Sequence, residues 1–123
     1  LKTKVIGIRV LDAKIGPVET CTESVVITLM AQARELLLQD YPHAIKELPR
    51  VILRSDFFAP GYGVLTPATT DTMKQAQTLG LTLEQTYSGK AFDAYLQAVK
   101  TTRKPILYWA TYNSNPEPVN LKD

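Results

Sequence analysis

Residues 5–10 read VIGIRV, a short run that is rich in β-branched side chains and does not alternate between apolar and polar residues. Strands of a parallel sheet that is covered on both faces have this composition, because neither face meets water. A glycine and a proline at 16–17 then break the chain. The opening stretch therefore predicts a buried strand, and the elements that follow it decide the kind of sheet it joins.

A long amphipathic helix is predicted after this break. Thr20 and Glu23 have the spacing of a capping box, in which two side chains bind each other's free backbone N–H groups. Pro42 should end the helix after Asp40, because a residue that precedes proline is pushed out of helical backbone angles. The apolar stripe of this helix would comprise Val25, Val26, Leu29, Met30, Ala33, Leu36 and Leu37.

The rest of the chain alternates between strands and helices. The predicted strands lie at 51–53, at 81–84, where the strand would be half-exposed, and at 106–109. One predicted helix runs from Thr66-Pro67 to Gly80. Another begins with Ser88 as its cap, and its apolar stripe would comprise Ala91, Phe92, Tyr95, Leu96 and Val99. This order predicts an α/β class with a mainly parallel sheet flanked by helices in three layers. Such sheets bind ligands beyond the carboxyl ends of their strands.

Composition and charge set limits on the function. The chain has 123 residues, of which 45% are hydrophobic and 21% charged, as expected for one soluble globular unit over 1–123, with a loose polar tail at 113–123. A net charge of +2 from scattered residues argues against a nucleic-acid or membrane surface. A single cysteine and the lack of a Cys/His cluster argue against disulfides and a metal site, and favour a cytoplasmic protein.

Two common enzyme chemistries do not match the residues. A phosphoacceptor receiver domain needs an acidic pair after its first strand and a lysine after its last, whereas Asp12 stands alone and Lys104 precedes the last predicted strand. Nucleophilic hydrolysis needs a base beside the nucleophile, and neither Cys21 nor His43 lies in such a motif. We therefore expect His43 to be a surface residue and Cys21 to be packed.

Two tyrosines with neighbouring glycines remain as candidates for chemistry. Tyr62 lies between Gly61 and Gly63, and Tyr87 lies two residues before Gly89. Glycine lets the backbone approach a ligand closely, and a phenol can donate, accept or transfer a proton. The alternative interpretation is that both tyrosines only pack in loops. The residue types alone leave these two interpretations open.

Four stretches together resemble one enzyme family. They are Gly61-Tyr62-Gly63-Val64, then Tyr87-Ser88-Gly89-Lys90-Ala91, then Ile106-Leu107-Tyr108-Trp109 leading to Thr111, and the opening Lys4 to Val10. Their order and spacing resemble the carboxyl-terminal part of the pyridoxal-phosphate enzymes that include 1-aminocyclopropane-1-carboxylate deaminase and D-cysteine desulfhydrase. The resemblance covers nearly the whole chain, and the block around Tyr87 is its most specific part.

The resemblance implies roles for four residues. Tyr62 and Tyr87 match active-site tyrosines near the substrate and the cofactor. Ser88 matches the position that faces the pyridine nitrogen of pyridoxal 5'-phosphate, and Thr111 matches a residue of the loop beside the ring. The sequence departs from the family at Tyr112 and the residue after it, where the family has two glycines.

The resemblance also implies that the chain is a carboxyl-terminal fragment of a larger enzyme with a tryptophan-synthase-beta-like fold. The lysine that binds the cofactor covalently and the phosphate-binding loop would lie upstream, outside this sequence. The fragment alone is therefore expected to be inactive, and the parent enzyme is expected to be a homodimer. Lys90 is not that lysine, and we predict a solvated side chain for it.

The implied reaction is a lyase or deaminase reaction on a small amino acid. The family's deaminase has a glutamate at the position of Ser88, and its desulfhydrase has a hydroxyl there, so β-elimination from D-cysteine is favoured over opening of a cyclopropane ring. An alternative from another class is a non-catalytic α/β module that binds a small anion for ligand binding or regulation.

Overall fold

The computed structural model describes residues 3–43, 47–58 and 61–110 and shows an α/β chain with a small parallel sheet. Within these ranges the elements are β1 (Lys4–Ile8), β2 (Lys14–Ile15), β3 (Val18–Glu19), α1 (Glu23–Asp40), β4 (Arg50–Arg54), α2 (Pro67–Thr78) and α3 (Ser88–Thr101). The coarse α/β class predicted from the alternation of strands and helices is therefore confirmed.

Strands β1 and β4 form a parallel pair, as the runs at 5–10 and 51–53 predicted. Val5 lies opposite Val51, and Gly7 lies opposite Leu53. A side chain at Gly7 would come within 2.6 Å of the Leu53 side chain, so glycine allows the two strands to approach. The predicted burial of β1 is wrong in the described residues, because 52% of the Ile6 surface is exposed.

Helix α1 ends at Asp40 as predicted, but its start and its burial differ from the prediction. Thr22 caps the helix by accepting a hydrogen bond from the Val25 N–H at 3.3 Å. The Thr20 hydroxyl instead donates to the Asp12 carbonyl at 2.6 Å, so the predicted capping box does not form. None of the residues of α1 is buried. The two-stranded sheet offers too little surface to cover the apolar stripe of an 18-residue helix.

Helices α2 and α3 pack against each other and hold most of the core. Thr66 caps α2 by accepting from the Thr69 N–H at 3.1 Å, and Gly80 follows the helix with a φ of +76°, both as predicted. The buried apolar residues are Val10, Val51, Ala76, Phe92 and Ala94. Three of these five belong to the helix pair, so the helices, not the sheet, supply most of the core.

Two predicted strands are not formed, and one hairpin was not predicted. The segment 81–84 forms no strand, because its last residue turns back to cap α3. The segment 106–109 finds no strand partner among the described residues, and Tyr108 packs edge-on against Phe92 at 5.1 Å between ring centroids. In their place β2 and β3 form a short antiparallel hairpin around Gly16, whose φ is +59°.

Candidate functional site

The structure brings the two predicted tyrosines together. The Tyr62 and Tyr87 hydroxyl oxygens lie 2.6 Å apart, and the two rings meet edge to face with centroids 6.0 Å apart. Both residues are half-exposed, at 56% and 51% of their surface. One phenol must donate in this contact and the other accept, so the pair keeps one proton to offer to a ligand.

Tyr62 is presented by a tight turn. The Val64 N–H donates to the Gly61 carbonyl at 3.4 Å, which closes a four-residue turn around Tyr62 and Gly63. Gly63 has a φ of +69°, the left-handed region that glycine adopts without strain. The glycines on both sides of Tyr62 therefore shape the turn that displays the phenol.

Tyr87 is fixed at the start of α3 by a carboxylate that the sequence analysis missed. Glu84 accepts hydrogen bonds from the backbone N–H groups of Thr86, Tyr87 and Ser88, at 2.6, 2.6 and 2.5 Å. The first N–H groups of a helix have no partner within the helix, and an anion stabilises them. The acidic residue four positions before Ser88 was the available signal, but its place at the end of a predicted strand concealed it.

Ser88 is the first residue of α3 and not its cap. It is buried, with 7% of its surface exposed, and its hydroxyl oxygen accepts from the Glu84 N–H at 2.8 Å. The hydroxyl donates to the Glu84 carbonyl over a longer distance, 3.3 Å, and that carbonyl also accepts from the Gly89 N–H at 2.8 Å. The Ser88 proton can therefore turn to another acceptor without leaving the Glu84 carbonyl unpaired.

Lys90 is not solvated, contrary to the prediction. Only 1% of its surface is exposed, and its Nζ donates to the carbonyls of Phe58 at 3.3 Å and Gly61 at 3.0 Å. Lys90 precedes the buried residue Ala94 by four positions, which places both on one face of α3. Ala94 does not belong to the predicted apolar stripe, so this spacing carried no signal in the sequence and the burial of Lys90 depends on the fold.

The electrostatics of the site favour the protonated form of Tyr87 and Tyr108. The hydrogen bond between Tyr87 and Tyr62, together with desolvation and the charge of Glu84, raises the pKa of Tyr87 above its ordinary value of 10.0. Burial and the Glu84 charge likewise raise the pKa of Tyr108, whose hydroxyl donates to the Ser88 carbonyl at 3.2 Å. At neutral pH Tyr87 and Tyr108 therefore keep their protons.

The other site predictions have different outcomes. Thr111 lies outside the described residues. A cavity of about 210 Å³ opens beside Asp56, Thr69 and Asp93, and none of the predicted site residues lines it. Among the described residues no cluster of three or more His, Cys, Asp or Glu side chains could hold a metal ion. In the same ranges no helix has the length and apolar character that a bilayer crossing requires.

Comparison with known proteins does not identify a family. No protein-family model matches the chain, and the search of curated proteins finds no significant match.

Proposed function

We propose that the chain is the carboxyl-terminal part of a pyridoxal-phosphate-dependent enzyme that catalyses β-elimination from a small amino acid such as D-cysteine. The observation that carries this proposal is the 2.6 Å contact between the Tyr62 and Tyr87 hydroxyls. The family resemblance matched both tyrosines to one active site from separate stretches of sequence, and the fold brings these stretches together. Two tyrosines that merely packed in their own loops would have no reason to meet through their hydroxyls.

Ser88 supports the same proposal through its hydrogen bonds. When bound, pyridoxal phosphate supplies the electron sink that stabilises a carbanion at the substrate α-carbon. Ser88 would hold the ring nitrogen by donating its hydroxyl proton, as Thr111 would flank the ring. A hydroxyl shares its proton with a neutral nitrogen and cannot transfer it, whereas a carboxylate would keep the nitrogen protonated. The weaker sink suits prompt loss of a thiol better than opening of a cyclopropane ring.

The tyrosine pair would act on protons near the substrate. The raised pKa keeps Tyr87 protonated at neutral pH, and the hydrogen bond between the two phenols leaves one proton of the pair free to protonate a leaving thiolate. Tyr87 or Tyr62 is therefore the candidate general acid/base near the reacting carbon, and the other phenol orients its hydroxyl. Loss of such a group typically costs about 10²–10⁴-fold in rate.

The wider architecture is part of the proposal. A tryptophan-synthase-beta-like fold would add strands to β1 and β4 and cover the exposed side of α1 with the amino-terminal part of the enzyme, which also carries the lysine that binds the cofactor. Ile27, Leu29, Leu36 and Leu37 are apolar residues of α1 that are each at least 43% exposed, which suits a helix packed against further protein. The parent would be a cytoplasmic homodimer.

The test is an assay of the full-length parent enzyme with D-cysteine and with the cyclopropane amino acid side by side. We expect sulfide release to exceed ring opening, and Tyr87→Phe to lose far more activity than Tyr95→Phe, a matched control on α3 outside the hydroxyl pair. Faster ring opening would refute the assignment of Ser88. Full activity of both Tyr62→Phe and Tyr87→Phe would instead mean that the two tyrosines only pack in their loops and take no part in the reaction.

A further inference from the structure

Lys90 is a buried ammonium whose charge has no carboxylate partner among the described residues. The ion pairs in these ranges join Lys14 with Glu19, Arg54 with Asp56 and Lys74 with Asp71. A buried charge is unfavourable unless hydrogen bonds replace the lost water. The two acceptors that the structure provides are backbone carbonyls, those of Phe58 and Gly61. The position of these two carbonyls in the chain therefore indicates what the buried ammonium holds in place.

Both carbonyls also accept a backbone hydrogen bond. The Phe58 carbonyl accepts from the Gly61 N–H at 3.1 Å, and the Gly61 carbonyl accepts from the Val64 N–H at 3.4 Å. Each carbonyl uses its second lone pair to accept from Lys90. The ammonium thus holds the Phe58 and Gly61 carbonyls relative to each other, and the turn that begins at Gly61 carries Tyr62.

Lys90 also belongs to the rigid unit that carries the other tyrosine. Tyr87 precedes it by three residues, and the Ala91 N–H donates to the Tyr87 carbonyl at 3.0 Å in the first turn of α3. Another side-chain contact between the two segments joins Gln85 Nε2 to the Gly63 carbonyl at 3.4 Å, and it is exposed. The buried ammonium is therefore the stronger of these two links between the turn of Tyr62 and the helix of Tyr87.

We propose that Lys90 is a positioning residue for the tyrosine pair: its ammonium binds the carbonyls of Phe58 and Gly61 and so sets the approach of the Tyr62 hydroxyl to the Tyr87 hydroxyl. Lys90 does not touch the reacting atoms. Its importance for catalysis rests on the proposed function, whereas the positioning itself rests only on these contacts.

The experiment follows the ionisation of single tyrosines by NMR, with the ring carbon beside each hydroxyl labelled, in the unsubstituted chain and in Lys90→Met. Methionine keeps an unbranched side chain and removes the donors. We expect the pKa of Tyr87 to fall toward 10.0 in Lys90→Met, as it should in Tyr62→Phe, because both lose the bond that raises it. The double variant should show no further fall. Lys100→Met, at an exposed position near the end of α3, is the matched control and should leave the pKa of Tyr87 unchanged.

An unchanged pKa of Tyr87 in folded Lys90→Met, or additive falls in the double variant, would overturn the proposal. Reductive methylation of the unsubstituted chain gives a second measurement that does not need a variant to fold. Lys90 should be methylated much more slowly than Lys100, and equal rates would also overturn the proposal. Neither measurement uses the cofactor or turnover, so a failed activity assay of the parent enzyme leaves these results to be judged separately.

Discussion

Glu84 offers the most direct test of how the site is held. Replacing it with alanine removes the acceptor of three backbone N–H groups, those of Thr86, Tyr87 and Ser88. Ser88 is buried, so its N–H would be left without a partner, at about 1–3 kcal/mol. Thr86 and Tyr87 are more accessible, and water can replace their acceptor, so they lose only what a helix cap contributes, about 0.5–2 kcal/mol.

The expected loss for Glu84→Ala is therefore about 1.5–5 kcal/mol in the free energy of unfolding. This is a large fraction of the about 5–15 kcal/mol that stabilises a typical domain. Urea unfolding followed by circular dichroism measures it. Glu84→Gln keeps one acceptor oxygen, so its free energy of unfolding should lie between those of the unsubstituted chain and Glu84→Ala.

Glu35→Ala is the matched control, because Glu35 is an exposed glutamate in α1. Such surface substitutions usually change the free energy of unfolding by less than about 0.5 kcal/mol. A Glu84→Ala variant as stable as Glu35→Ala would refute the inference that this carboxylate holds the start of α3. It would also remove the reason for regarding Tyr87 as fixed.

Three further predictions concern the tyrosine turn, the phenol pair and the surface. Gly63→Ala should destabilise the chain by about 1 kcal/mol or more in urea unfolding, because alanine is strained at a φ of +69°; an unchanged midpoint would contradict this. Tyr62→Phe should lower the pKa of Tyr87. In the unsubstituted chain the raised pKa stabilises the fold below pH 10.0, and this stabilisation is lost as pH rises through the folded-state pKa. Unfolding measured across alkaline pH should show that the variant lacks this pH-dependent stability. The exposed Leu107 and Trp109, at 81% and 77%, should make the isolated chain self-associate in light scattering, whereas a stable monomer would argue against a missing partner.

The sequence predicted the elements whose signals are local. The run at 51–53 became β4, and the hydroxyl and proline at Thr66-Pro67 started α2, because a cap acts through its own neighbours. The predicted strand at 106–109 shows the limit of such signals. Its side chains alternate between partly buried and exposed, as in a strand, but a strand also needs a partner that periodicity cannot reveal.

The candidate site was predictable in part for a similar reason. The glycines beside Tyr62 and the motif around Tyr87 identified both phenols, although the contact between their hydroxyls depends on tertiary structure. Glu84 and Lys90 were missed because charged residues are usually exposed, and their partners here are backbone groups. Backbone acceptors and donors carry no sequence signal, so only the fold shows which backbone groups these two charges bind.

The acceptors of Lys90 have a consequence for how the chain can vary. Because the ammonium binds main-chain carbonyls, the identity of the side chain at Phe58 does not enter the contact. The side chains around Tyr62 could therefore change while Lys90 still holds the Tyr62 hydroxyl beside the Tyr87 hydroxyl. Among relatives of this chain, the lysine should persist while the loop it holds diverges.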